Sequence, residues 1–362
     1  MAYVMLSHCR EGFETETTLE LAAQCAAFGT KVKFSYEPHG AIVVSEPQSR
    51  RTMETLVGKL KWSELIFARQ VVYGVAVTMP ESGDRVAPIM AAINDALLPM
   101  TGTNAFSNLL MEWPDTNDGK MMSRFAGKLA TPLGRALDRA RLAPRGPGAR
   151  HLPRLHVVLG QNGIAWVGIS DPATGSPWPM GIPRLRAPKD APSRSTLKLE
   201  EAFYVFLSDE ERASALTQGM RAVDLGAAPG GWTYQLVRRG LHVTAVDNGP
   251  MAESLMTTGL VDHVKADAFT WRPSAKVDWL VCDVVEQPHR IAALVGEWLG
   301  RGLADRMVFN LKLPMKKRWE EIQRDLAIVR AAMPPNRDLV LRARQLYHDR
   351  KEVTCYVGPR QK

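Results

Sequence analysis

AVDLGAAPGGW, residues Ala222–Trp232, is the stretch that decides how the second half of this chain folds. An apolar run ends in Asp224-Leu225 and passes into Gly226-Ala227-Ala228-Pro229-Gly230-Gly231, and a helix is expected to start at Trp232. Small residues let a backbone approach a ligand closely, and a helix N-terminus favours a negative group. Downstream, TAVDNGPM places Asp247 at the end of the next strand, 23 residues beyond Asp224. A carboxylate there can accept hydrogen bonds from both hydroxyls of an adenosine ribose. A nicotinamide-dinucleotide site shares this plan. However, Ala228 stands where the second glycine of G-x-G-x-x-G belongs, and Pro229 is unusual in a pyrophosphate cradle. Asp224 would repel a diphosphate but can hold an ammonium group. The loop therefore points to S-adenosylmethionine, with Asp224, Gly226, Ala228, Pro229, Gly230, Gly231, Trp232 and Asp247 as candidate contacts.

Working outward, a helix over Ser195–Leu207 precedes the first strand. Strands recur at Ala222–Leu225, His242–Val246, His263–Lys265, Trp279–Cys282 and Met307–Leu311, with helical segments between most of them. That alternation predicts a parallel, doubly wound α/β sheet. Leu339–Gln345 and Glu352–Val357 are separated only by LYHDRK, too short to join parallel strands, so this last pair must be antiparallel. The expected fold of residues 193–362 is a Rossmann-like class I methyltransferase with an antiparallel last strand. Before it, DPATGSPWPMGIPRLRAPKDAP, Asp171–Pro192, carries six prolines. Proline fixes φ and removes a donor, so residues 173–192 read as a linker.

The first half reads as mixed α+β. Val4–Leu6, Lys31–Tyr36 and Ala41–Ser45 look like strands, and Thr17–Phe28 looks like a helix closed by Gly29. Glu64–Val77 is rich in β-branched and aromatic residues, and Arg85–Leu98 is helical. Lys120–Leu142 reads as two helices broken at Pro132. Arg154–Leu159 and Ile164–Ser170 form a hairpin around Asn162-Gly163. The 362 residues allow two or three domains, and the net charge of +8 suits a polyanionic partner. Two segments concentrate that charge. One runs from Arg124 to Arg154 and includes Lys128, Arg135, Arg139, Arg141, Arg145 and Arg150; the other is Lys316-Lys317-Arg318. No apolar run is long enough to span a membrane, and the N-terminus turns acidic too early for a signal peptide. The four cysteines form no CxxC pair and no histidine cluster has zinc spacing, so reduced thiols in a cytoplasmic protein without a metal are expected.

Four residues suggest an acceptor site: Lys198 in the helix before the first strand, Asp283 at the end of VDWLVCD, Lys312 at the end of VFNLKLP, and Glu352 at the start of the last strand. Ligands of doubly wound sheets bind beyond the carboxyl ends of the parallel strands, where Asp283 and Lys312 lie. An antiparallel last strand starts on that same edge, which brings in Glu352. Taken singly, Lys198 suits a solvated helix, Glu352 a surface charge and Asp283 a turn cap; Lys312 at the end of an apolar strand is the hardest to explain that way. Cys282 should point into the core, which does not suit a pyrimidine C5-methyltransferase nucleophile. DVVEQP lacks the N-P-P-aromatic loop of many base N-methyltransferases. Ser195 is placed to be the N-cap of its helix.

The order DLGAAPGGW, a D-A-F box at Asp267, CD, NLKLP and EV resembles the FtsJ-like ribose 2′-O-methyltransferases, whose catalytic set is Lys, Asp, Lys and Glu. PSRSTLKLEEAF, VDNGPM, NLKLPMKKRW and ARQLYHDRKEVT are similar to the ribosomal RNA large-subunit methyltransferase M family; in the first half SELIFARQ carries the likeness. The resemblance implies 2′-O-ribose methylation of a cytidine in 23S ribosomal RNA. It implies Lys198, Asp283, Lys312 and Glu352 as catalytic residues, and adds Ser195, Asp267 and Asp283 to the cofactor contacts. It also implies an N-terminal RNA-binding region, read as a ferredoxin-like subdomain over 1–55 and a THUMP-like domain over 56–172. The expected partner is 23S ribosomal RNA before full subunit assembly, with the protein a monomer or weak homo-oligomer. A ribose hydroxyl needs a base, and lysine serves as one only when its ammonium is destabilised by burial or by a nearby cation, a part Lys198 could play toward Lys312. Two alternatives stay open at this point: a non-catalytic RNA-binding protein that kept a methyltransferase fold, and an NAD-dependent oxidoreductase.

Overall fold

Residues 2–360 are described by the computed structural model, and they divide between Ile182 and Pro183 into two units, each built on a seven-stranded sheet. The first unit contains β1 (Tyr3–His8), β2 (Val32–Tyr36), β3 (Ile42–Pro47), β4 (Gln70–Thr78), β5 (Leu109–Glu112), β6 (Arg154–Leu159) and β7 (Ile164–Ser170). Their order is β2-β3-β1-β4-β7-β6-β5, antiparallel except for the β5–β6 pair. Because β1 pairs with β4, residues 1–55 and 56–172 share one continuous sheet. Asn162 and Gly163 take φ of 54° and 69°, the positive values suited to the two central residues of the tight turn between β6 and β7 that Ile164 closes by donating its N–H to the Gln161 carbonyl at 3.1 Å.

The helices of this unit are α1 (Glu14–Ala27), α2 (Arg50–Lys59), α3 (Val86–Ala92), α4 (Leu98–Thr101) and α5 (Asn117–Arg139). The break expected at Pro132 does not occur, and α5 runs through it. Proline in a helix interior costs about 3 kcal/mol. Ala126, Leu129, Leu133 and Leu137 recur every three or four residues and are all buried against Val75, Leu155 and Val157 of the sheet. Burial at roughly 1.5–3 kcal/mol per leucine outweighs the lost hydrogen bond. Opposite that buried face, Lys120, Arg124, Lys128, Arg135 and Arg139 are exposed, so the basic run of the sequence becomes a stripe along one helix. The prolines keep 171–192 free of strands and longer helices, yet the stretch up to Ile182 is packed. Trp62 donates its N–H to the Thr174 carbonyl at 2.8 Å, and the Gln70 side chain both accepts from and donates to the Ser176 backbone, at 3.1 and 3.0 Å.

The second unit contains β8 (Arg221–Leu225), β9 (His242–Val246), β10 (Val261–Val264), β11 (Val277–Cys282), β12 (Ala304–Lys312), β13 (Leu339–Arg344) and β14 (Glu352–Pro359). The order is β10-β9-β8-β11-β12-β14-β13, parallel from β10 to β12 and antiparallel beyond. This is the doubly wound sheet with an antiparallel last strand that the alternation predicts. Strand order reverses at β8, between β9 and β11, so a crevice opens at the carboxyl end of β8. Helices α6 (Thr196–Phe206), α7 (Asp209–Ala215), α8 (Gly231–Val237), α9 (Glu253–Met256), α10 (Pro288–Gly300) and α11 (Arg318–Ala331) fill the connections. Leu199, Ala202, Phe203 and Phe206 form the apolar face of α6 and pack on Trp279 of β11 and Tyr356 of β14. The Phe203 and Trp279 rings meet edge to face at 5.6 Å, which anchors the helix that carries Lys198. Among the described residues no helix is long and apolar enough to cross a membrane, and no group of three or more His, Cys, Asp or Glu is placed to hold a metal ion.

Candidate active site

The loop after β8 forms because only small residues fit it. Gly226 takes φ of 75°, in the left-handed region. At Gly231 a Cβ would stand 2.1 Å from Ser195 Oγ, so glycine alone lets the start of α8 close on the start of α6. Ser195 occupies the N-cap position of α6, but its dihedrals are already helical and its hydroxyl caps nothing. It lies 3.1 Å from Ser193 Oγ instead, facing the loop. Asp247 is pinned at the end of β9: Ala228 donates its N–H to Oδ2 at 3.0 Å and Gly249 donates to Oδ1 at 2.7 Å. Each oxygen keeps a second lone pair. Asp224 is buried and accepts from the Thr233 hydroxyl at 2.6 Å; burial pushes its pKa up to about 7. Asp267 is exposed and accepts from the Phe269 N–H at 2.9 Å, which turns the chain after β10. The Trp232 indole lies in the core and anchors α8. Cys282 is buried, and desolvation lifts its thiol to about 12, which leaves it unreactive as a nucleophile.

Lys198, Asp283, Lys312 and Glu352 meet at the same sheet edge. Register explains Glu352: it sits directly opposite Lys312 in the antiparallel β12–β14 pair. Lys312 Nζ donates to Asp283 Oδ1 at 2.7 Å and to Glu352 Oε2. Lys198 Nζ lies 3.3 Å from Asp283 Oδ2 and pairs with Glu352 Oε1. Each carboxylate thus bridges both ammonium groups in a closed ring of alternating charge. Sequence reasoning expected Lys198 to make Lys312 less basic, and the ring reverses that. Burial pulls the Lys312 ammonium down, but Asp283 and Glu352 outweigh it and hold its pKa above the ordinary lysine value. The second cation is already neutralised, so little of its repulsion reaches Lys312.

Three polar residues behind the ring were not singled out in the sequence. Asn310, two residues before Lys312 on β12, donates its amide to Asp283 Oδ1 at 2.7 Å. Glu201, one turn after Lys198 on α6, accepts from the Tyr347 and His348 N–H groups at 2.7 and 2.9 Å and so holds the loop that leads to Glu352. Asp349 lies in that loop and is fully buried. Lys316 and Lys317 are exposed just past the end of β12.

Comparison with known proteins fits this arrangement. Three family models match in succession: RlmM ferredoxin-like domain over 1–72, Ribosomal RNA large subunit methyltransferase M, N-terminal, over 84–171, and FtsJ-like methyltransferase over 191–296. A relative in Aromatoleum aromaticum, named Ribosomal RNA large subunit methyltransferase M, is 45% identical over 358 residues, which is 98% of this chain and 95% of the relative. A relative of the same name in Pseudomonas putida is 45% identical over 354 residues, 98% of this chain and 97% of its own. The chain belongs to the ribosomal RNA large subunit methyltransferase M family. As a member of the large subunit methyltransferase M family it is a methyltransferase, which sets aside the oxidoreductase alternative. The FtsJ-like match takes in Ser195, Lys198, the β8 loop, Asp247, Asp267 and Asp283. Lys312 and Glu352 lie beyond it and are tied to the other two by sheet pairing and the ion ring.

Proposed function

We propose that the chain transfers a methyl group from S-adenosylmethionine to the ribose 2′-hydroxyl of a cytidine in 23S ribosomal RNA, with Lys312 as general base. The observation that carries this reading is the ring of Lys198, Asp283, Lys312 and Glu352 beside the small-residue loop after β8. The cofactor supplies an electrophilic sulfonium methyl whose leaving group departs neutral, so the chemistry needs no metal. The residues suit it: Asp247 offers two fixed carboxylate oxygens for a ribose diol, and Asp224 is a buried carboxyl suited to an ammonium. Gly226, Ala228, Pro229, Gly230 and Gly231 leave the backbone bare, and Ser195 and Asp267 lie at its borders. At the acceptor, Asp283 and Glu352 orient Lys312 and the hydroxyl, and Lys198 balances their charge. In-line positioning should supply most of the rate. The first unit, ferredoxin-like over 1–55 and THUMP-like over 56–172 in this reading, docks the RNA through basic side chains.

The direct test incubates the full chain with labelled S-adenosylmethionine and deproteinised 23S ribosomal RNA. Label is expected at one cytidine, at a position resistant to alkali. Label on the base, with the backbone still cleaved there by alkali, would overturn the 2′-hydroxyl assignment.

Cofactor affinity provides a second test. Asp247→Ala should weaken binding by about 1.5–3 kcal/mol, the range for charged hydrogen bonds. Asp224 should make binding pH-dependent. Its carboxyl is raised by burial to about 7, and an ammonium docked on it favours the ionised form, so binding below that pH expels a proton. Affinity should therefore rise up to about tenfold per pH unit as pH approaches 7, then level off. Calorimetry in two buffers of different ionisation enthalpy reads that proton. A pH-independent affinity without proton release would remove Asp224 from the ammonium role.

A further inference from the structure

Behind the ion ring runs a line of buried polar groups with a fixed direction of donation. Asn310, Thr354 and Asp349 are each fully buried. Asn310 faces Thr354 in the β12–β14 register, and the pair lies two residues from Lys312 and Glu352, on the same sheet face. Asn310 Nδ2 lies 2.7 Å from Asp283 Oδ1, an oxygen that also accepts from Lys312. The amide cannot be turned over, because its oxygen would then face that carboxylate. Asn310 Oδ1 therefore points the other way, 2.7 Å from Thr354 Oγ1. An amide oxygen only accepts, so Thr354 must give it the one hydroxyl proton it has. Thr354 Oγ1 also lies 3.0 and 2.9 Å from the two carboxyl oxygens of Asp349. With its proton committed, the threonine can only accept there. Asp349 must then bring the proton itself, as a neutral acid. Its Oδ2 accepts from the Leu346 N–H at 2.9 Å, which leaves Oδ1 as the hydroxyl that donates.

We propose that Asn310 is a positioning residue of the methyl-transfer site, and that Asp349, held as the neutral acid, sets the Asn310 amide through Thr354. Protons then point in one direction, from Asp349 to Thr354 to Asn310 to Asp283, and end on the carboxylate that holds Lys312. The charged neighbours agree. Burial first, then Glu352 on β14 and Glu201 on α6, push the Asp349 carboxyl far up, and Lys198 on α6 only partly opposes them. Cys355 beside Thr354 is itself held protonated by burial. If Asp349 ionised, it would recapture the threonine proton, leave Asn310 Oδ1 facing a bare oxygen and loosen Asp283.

This inference rests on the ring being the acceptor site, and the experiment separates the two. In the full chain, Thr354→Val removes the donor to Asn310 and keeps the shape, whereas Thr354→Ser keeps the hydroxyl. Asp349→Ala removes the donor to Thr354, and Asp349→Asn supplies it from an amide that cannot ionise. Thr354→Val and Asp349→Ala should each lower kcat about tenfold or more, with the KM for RNA and the cofactor affinity within about twofold, as expected of a misplaced reacting group. Thr354→Ser and Asp349→Asn should each restore kcat to within about threefold. Wild-type kcat in Thr354→Val would overturn the proposal. So would an Asp349→Asn variant as impaired as Asp349→Ala, since the charge would then be what matters. Cofactor calorimetry on every variant reports folding, so a Thr354→Val or Asp349→Ala variant that binds cofactor and turns over normally counts against the line. A failure of the ring itself looks different: Lys312→Ala would remain active.

Discussion

Lys312→Ala should lower kcat by about a thousandfold or more while leaving cofactor affinity within about twofold, because general-base contributions run to about 10²–10⁴ and the lysine is proposed to face the hydroxyl and not the cofactor. Removing the lysine also leaves Asp283 and Glu352 with only Lys198 between them. Breaking a buried pair by deleting one partner costs about 3–5 kcal/mol, so Lys312→Ala should be less stable as well as inactive. Lys312→Arg separates the two effects. It keeps the positive charge in the ring and should fold well, but guanidinium effectively never gives up its proton. An inactive, stable Arg variant assigns Lys312 as the base. An active one makes it an electrostatic clamp, with Asp283 the next candidate to take the proton. The pH dependence has a definite sign. Asp283 and Glu352 hold Lys312 above the ordinary lysine value, so at neutral pH almost all of it is ammonium and only the small neutral fraction can act. The wild-type rate of the chemical step should climb about tenfold per pH unit between about pH 7 and 9. A clamp needs the ammonium, so its rate would stay flat over that range and fall only above it.

The parts legible in the sequence were those that follow from chain direction. A small-residue loop after an apolar strand marked the candidate cofactor contacts, and strand ends placed Asp283 and Lys312 at one edge. The shortness of LYHDRK forced β13 and β14 to be antiparallel, and that brought Glu352 to the same edge from far along the chain. What stayed hidden depends on who faces whom. Asn310 and Thr354 are polar residues inside strands, and nothing in either strand shows that they face each other; only the register does. The period-two spacing of Asn310 from Lys312 was the one available signal. The basicity of Lys312 could not be read either, because it hangs on two carboxylates from distant segments that close the ring. At Ser195 a residue type typical of N-caps suggested a cap, but the helical dihedrals and the approach of Gly231 gave its hydroxyl another direction. At Pro132 the local rule for proline yielded to four buried apolar side chains on one face of α5. In each of these cases tertiary packing overrode a correct local preference.

A fragment beginning at Pro183 should bind S-adenosylmethionine like the full chain and lose about a hundredfold or more in kcat/KM on 23S ribosomal RNA, since phosphate contacts supply much of such affinity. The fragment keeps the loop after β8, Asp247 and the whole ion ring, which all lie in the second unit. What it loses is the stripe of Lys120, Arg124, Lys128, Arg135 and Arg139 on the exposed face of α5. Such a stripe is on its own an ordinary solvated helix face. It becomes a docking surface only if its charges meet phosphates, and each neutralised phosphate contributes about 0.7–0.9 to the slope of log affinity against log salt. If all five side chains contact phosphate, the full chain should show a slope steeper than that of the fragment by about 3.5–4.5. The loss should fall on KM, because the reacting groups are untouched. A full chain carrying Arg124→Glu, Lys128→Glu and Arg135→Glu tests the same surface without truncation, since these side chains are exposed and pack on nothing in the core. It should reproduce most of the KM change with unaltered thermal stability. A fragment with the activity and salt dependence of the full chain would take RNA docking away from the first unit and leave it to the lysines beside the ring, Lys316 and Lys317.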